Sequence, residues 1–91
     1  MKKFIFTLKF FFMKTMTCKQ LGGACDTKFH ANSFEEMAML SKQHAMEMFQ
    51  KGDEAHLNAM NEMQKLMQSP ADMKAWMDEK RKEFNSMPDD I

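Results

Sequence analysis

"SFEEMAMLSKQHAMEMFQKGD", residues 33 to 53, reads as one complete helix with its start and its stop written in. Ser33 followed by Glu36 is a capping box, in which a hydroxyl and a carboxylate satisfy the free amides of a first turn. Phe34, Met37, Ala38, Ser41, His44, Ala45 and Met48 recur at spacings of three and four, which lays them along one face. Gly52 supplies a left-handed C-cap, and Asp53 caps the start of the next helix.

Toward the carboxyl end the same grammar repeats. His56, Ala59, Met60, Met63, Leu66 and Met67 share one face of a second helix. "SPAD", residues 69 to 72, opens a third, with Ser69 as N-cap and Pro70 at the first helical position. Met73, Trp76, Met77, Phe84 and Met87 form its apolar side, and Lys80 falls in that stripe, where a buried stem would carry its amine out to water. Toward the amino end, residues 14 to 30 alternate and break at Gly22-Gly23, which predicts a hairpin. A tight turn there would make Cys18 and Cys25 cross-strand neighbours, with Cβ atoms about 4.5–5.5 Å apart. The expected fold class is therefore α+β, a short N-terminal β-hairpin followed by three amphipathic α-helices.

Composition agrees with a helical majority. Val and Tyr are absent, Ile occurs only at Ile5 and Ile91, and there are 13 Met among 91 residues, so strands lack their preferred side chains while helix formers abound. With 3 Gly and 2 Pro the chain reads as neither disordered nor loop-rich. A chain this short forms one small domain whose core often needs a metal, a disulfide or a second copy to complete it.

"MKKFIFTLKFFFMK" at the amino terminus is set apart from the rest. Lys9 splits its apolar run into pieces shorter than the ~7–15 residues of a secretory core, and nothing approaches the ~20 residues of a membrane span. Residues 1–12 are taken as an extra segment, with three readings: residues upstream of the true start at Met13, a weak membrane-surface segment, or an added strand. Residues 13–91 are taken as the single hairpin-plus-helices domain. The poor export signal makes a cytoplasmic location the expectation.

Formal charge is 0, and Lys74, Lys80, Arg81 and Lys82 are interleaved with acids as on a solvated helix face. A nucleic-acid binder would show a basic stripe of one sign, and none is present. No Ser-His-Asp pattern, phosphate-cradling loop or isolated carboxylate pair supports catalysis, so the expectation is a non-enzymatic protein.

The chemistry-bearing residues are few. Cys18 and Cys25 are the 2 cysteines. A disulfide between them needs an oxidising compartment, and a redox pair usually has the C-x-x-C spacing, which this is not. They are otherwise two inert buried residues, half of a metal site, or a thiol switch in which Cys18 and Cys25 are reversibly oxidised. His44 and His56 lie on the apolar stripes of successive helices, and Cys and His together suit tetrahedral zinc. His30, near the end of the hairpin, competes with His56 as fourth ligand, although alternation equally turns it to solvent. Methionine thioethers would suit copper(I), a weaker reading because most of these methionines fall on apolar stripes where Met fills gaps. Met39 and Met46 lie opposite the first stripe, where a protein partner or a second copy of the chain would use them.

These residues resemble the domain-of-unknown-function 1059 family of small predicted metal-binding proteins. The likeness runs from "MKTMTC" (13–18) through Cys25 and Phe29 to "SFEE" and "HA" at His44-Ala45, with "GDEAH" (52–56) resembling a longer subgroup. It implies that Cys18, Cys25 and His44 belong to a metal site. Shorter members carry a second histidine five residues after the first. Phe49 stands there in this chain and cannot coordinate, so His56 is the nearest replacement. No reaction comes with the resemblance.

Overall fold

A computed structural model describes residues 13–90. Strand β1 (Lys14–Thr17) pairs antiparallel with β2 (Lys28–Ala31), and helices α1 (Phe34–Lys51), α2 (Glu54–Leu66) and α3 (Pro70–Ser86) follow. The hairpin-plus-three-helices architecture is the one expected. The division of the chain at residue 12 lies outside the described residues.

The caps explain the helix limits. Ser33 Oγ accepts the Glu36 amide at 3.2 Å, and Glu36 Oε1 accepts the Asn32 amide at 3.2 Å. Gly52, at φ 67°, ends α1 in the left-handed conformation that a side chain would strain. Ser69 Oγ accepts the Asp72 amide at 3.1 Å at the start of α3.

Register decides which hairpin residues enter the core. Met16 stands opposite Phe29 on the inner face, with Ala31 two residues along, and all three are buried. Thr15 and His30 form the outward pair. Helix α1 contributes Phe34 and Met37 to the same core, α3 contributes Phe84, and Leu21 closes it from the connection. Phe34 and Phe84 meet edge to face at 6.1 Å, and the Arg81 guanidinium lies over the Phe34 ring while pairing with Glu35. Met16 and Met37 have no exposed surface, so each contributes roughly 1.5–3 kcal/mol of burial. Lys14 donates to the Met87 carbonyl at 2.7 Å, and the Asp90 amide donates to Met13 O at 2.8 Å, which holds the carboxyl end beside β1.

Two expectations are corrected. The hairpin has no tight turn at Gly22-Gly23. Thr17 pairs with Lys28, and residues 18–27 form a folded connection containing a 3-10 turn (Lys19–Leu21). The glycines are spent on that turn: Gly22, at φ 93°, donates to Lys19 O at 3.1 Å, and Gly23 donates to Cys18 O at 2.8 Å. The cysteines are thus not cross-strand neighbours. On the helices, Leu66 and Met73 are exposed although their spacing places them on the apolar stripes. Each sits near the α2–α3 junction, where the stripe runs beyond what the small core covers. Lys80 keeps its amine near the protein, with Nζ 5.6 Å above the Trp76 ring and 3.2 Å from Glu83. None of the described helices is long and apolar enough to cross a membrane.

Candidate metal centre

Four side chains from three elements converge at the connection end of the hairpin, beyond the Thr17–Lys28 pair. Cys18 and Cys25 come from the connection between the strands, His44 from the third turn of α1, and His56 from the first turn of α2. One ligand-type atom of each lies within 4.8 Å of all the others. Cys18 Sγ is 3.6 Å from His56 Nε2, and Cys25 Sγ is 3.2 Å from His44 Nε2. Bonds of ~2.3 Å to sulfur and ~2.0–2.1 Å to nitrogen around a tetrahedral ion set ligand-to-ligand edges of roughly 3.3–3.8 Å. The Cys18–His56 and Cys25–His44 separations lie close to those edges, and the other pairs lie within 4.8 Å, so the group could hold a metal ion.

The connection is shaped around the sulfurs. The Cys18 amide donates to Thr27 O at 2.8 Å and the Lys19 amide to Cys25 O at 2.9 Å, so the two arms run side by side beyond the last strand pair. Gly23 packs directly on Cys18: a Cβ at that position would collide with the sulfur. Burial pushes the Cys18 thiol above its ordinary value, against the pull of backbone hydrogen bonds from Cys25 and Ala24. Cys25 has the opposite balance. Its partial burial raises the thiol, but hydrogen bonds with the Thr27 side chain and backbone, and with His44 and His56, outweigh it and bring it down to about 6.

The histidines are held from behind. His56 is buried, and its Nδ1 lies 2.5 Å from Asp53 Oδ2, which leaves Nε2 facing the sulfurs. The Asp53 carboxylate raises the His56 pKa above 6.5, with burial opposing, and the same contact lowers Asp53 below 3.8. A carboxylate on the far nitrogen fixes the tautomer and orientation of a ligating imidazole. The His44 ring is wedged edge-on between Phe29 (5.6 Å) and the His56 ring (5.2 Å).

Of the five metal candidates named from the sequence, Cys18, Cys25, His44 and His56 meet here. His30 does not. Its Nδ1 lies 2.8 Å from Thr15 Oγ1 and 3.6 Å from Asp90, on the outer face of the hairpin. Reading the sequence for caps and stripes gave Asp53 a capping role only and missed its contact with His56. The signal was present as D-x-x-H across a helix start, since the N-cap side chain and the N3 ring share one side. The fit of Gly23 to Cys18 was also missed, because the glycine pair was assigned to a turn.

No protein-family model matches the chain, no curated protein matches it, and no solved structure matches it.

Proposed function

We propose that this is a non-enzymatic metal-binding protein that holds one zinc-class ion between Cys18, Cys25, His44 and His56. The observation that carries the reading is the convergence of two sulfurs and two imidazole nitrogens within 4.8 Å, from segments far apart in sequence. Four protein ligands close a tetrahedral shell and leave no position for substrate, which makes the role structural. The ion would tie the strand connection to α1 and α2. Structural zinc in finger peptides contributes on the order of 10–16 kcal/mol, whereas a core this small supplies only ~3–5.

Zinc is favoured over copper(I) because the cluster combines imidazole with thiolate. The nearby thioethers of Met60 and Met63 line a cavity of about 310 Å³ beside Cys18 and His56, outside the cluster itself. A site built on two reduced thiols suits the cytoplasm. Membership of the domain-of-unknown-function 1059 family is part of the same proposal, and it rests on the motifs between Met13 and His56. Elemental analysis of protein purified without added metal should find about one zinc per chain, and Cys18→Ser should lose it. Metal-free protein with an unchanged melting temperature in the presence of chelator would refute the proposal.

A second reading has its own observation. Met46 and Phe49 are exposed and, with Lys42 and Met60, line an open apolar hollow of about 450 Å³ between α1 and α2. A metal-free interaction module using that surface would show concentration-dependent sedimentation and no response to chelator.

A further inference from the structure

The two sulfurs of the candidate centre belong to one short connection, and that connection treats them differently. Cys18 is buried beneath Gly23, whereas Cys25 is only half-buried, with its sulfur 3.2 Å from the Thr27 hydroxyl and 3.2 Å from His44 Nε2. The backbone bonds from Lys19 to Cys25 and from Cys18 to Thr27 hold the two arms beside each other. Both thiols are free, and their sulfurs lie within 4.8 Å of one another. Disulfides join residues whose Cβ atoms are about 3.5–4.5 Å apart, a separation that arms hydrogen-bonded side by side can supply. With the sulfurs already within 4.8 Å, rotation of the more exposed Cys25 side chain would bring them toward bonding distance.

We propose that Cys18 and Cys25 are a peroxide-sensitive dithiol whose oxidation to an internal disulfide ejects the metal ion, with Cys25 reacting first. This rests on the metal-binding reading above. The Cys25 thiolate attacks one oxygen of hydrogen peroxide; an S–O bond forms, the O–O bond breaks, and the departing hydroxide takes a proton to become water. The Cys18 thiolate then attacks the Cys25 sulfur; the S–S bond forms, the S–O bond breaks, and a second hydroxide leaves as water with a second proton. Two electrons pass from the thiolates to peroxide. The ion is left with two imidazoles and no anionic ligand, and it dissociates. The order follows from exposure, because peroxide must approach the attacking sulfur and only Cys25 stands at the rim. Since both cysteines lie in the strand connection, the new bond leaves the hairpin closed while releasing His44 and His56 on the helices.

The test uses the full chain loaded with zinc and treated with hydrogen peroxide, followed with a chromophoric zinc indicator. Samples are quenched with a cyclic 1,3-diketone that traps sulfenic acid, and peptides are mapped by mass spectrometry. The expected result is release of the bound zinc in step with a Cys18–Cys25 linked peptide, early diketone adducts on Cys25, and recovery of zinc binding after dithiothreitol. In Cys18→Ser the Cys25 sulfenic acid should persist and be trapped in higher yield, because no second thiol remains to displace its hydroxide. Zinc retained after the thiols have oxidised, sulfinic acids or intermolecular disulfides in place of the linked peptide, or first adducts on Cys18 would overturn the inference while leaving the metal reading intact. Absence of zinc before peroxide is added would overturn the metal reading itself, and the ejection with it.

Discussion

A single oxygen of Asp53 does two jobs for His56: Oδ2 accepts the His56 backbone amide at 3.1 Å and lies 2.5 Å from the Nδ1 of the same residue. Helix capping and imidazole orientation are therefore joined in one carboxylate. The turn that starts α2 is the same turn that aims a ring nitrogen at Cys18.

That coupling can be separated by substitution. Asp53→Asn keeps a good N-cap but removes the anion behind the ring. Zinc affinity should fall about 10–100-fold, the usual effect of losing such a partner, with little change in the melting temperature of the metal-free protein. Asp53→Ala should add a loss of roughly 1 kcal/mol of stability from the missing cap. Competition with a chromophoric chelator and thermal melts would measure the two effects; equal affinity for Asn and wild type would show that the charge is irrelevant.

The glycines offer a second contrast. Gly23→Ala places a Cβ against the Cys18 sulfur and should displace it, so zinc binding should weaken sharply. Gly52→Ala meets open space but sits at φ 67°, and should cost about 1 kcal/mol through backbone strain without touching zinc. Isothermal titration and denaturant melts on both variants check this. Normal zinc affinity in Gly23→Ala would mean that the sulfur does not need the position it has.

In the metal-free protein the two thiols should differ in reactivity with pH. Despite its partial burial, Cys25 is lowered to about 6 by Thr27, His44 and His56, while burial raises Cys18. The thiolate is the nucleophile, so iodoacetamide should label Cys25 with a midpoint near pH 6 and Cys18 far more slowly at every pH below 9. Peptide mapping of the labelled protein reads both. Zinc should protect both residues, and it should leave as pH falls, because protons compete for the thiolates and imidazoles.

Histidine identity gives the sharpest test of the ligand set. His44→Ala should abolish stoichiometric zinc, since Nε2 stands 3.2 Å from Cys25 Sγ. His30→Ala should leave the metal content unchanged, because that ring bonds Thr15 and Asp90 on the opposite face of the hairpin. Elemental analysis of the two variants decides the matter; loss of zinc in His30→Ala alone would contradict the geometry.

Much of the helical part was readable from local chemistry. Ser33, Gly52, Asp53, Ser69 and Pro70 act within a turn of their own position, so their roles survive whatever the rest of the chain does. The exposed Leu66 and Met73 mark the limit of that reading. Periodicity tells which residues share a face, but not how far a small core extends along it. The hairpin connection was misread for a related reason. A Gly-Gly pair permits several backbone paths, and hydrogen bonds to Cys18 and Lys19 select one that local sequence does not announce.

The sequence by itself determined the order of elements and supplied the two thiols and the two stripe histidines, because caps, periodicity and residue type are properties of short segments. Only the tertiary structure decided that these four donors share one point and that His30 lies elsewhere. That outcome depends on strand register, on the path of residues 18–27, and on the turn at Gly52-Asp53 that sets α2 beside α1. The register is a long-range relation, in which a one-residue shift of a strand would turn its side chains to the other face of the hairpin.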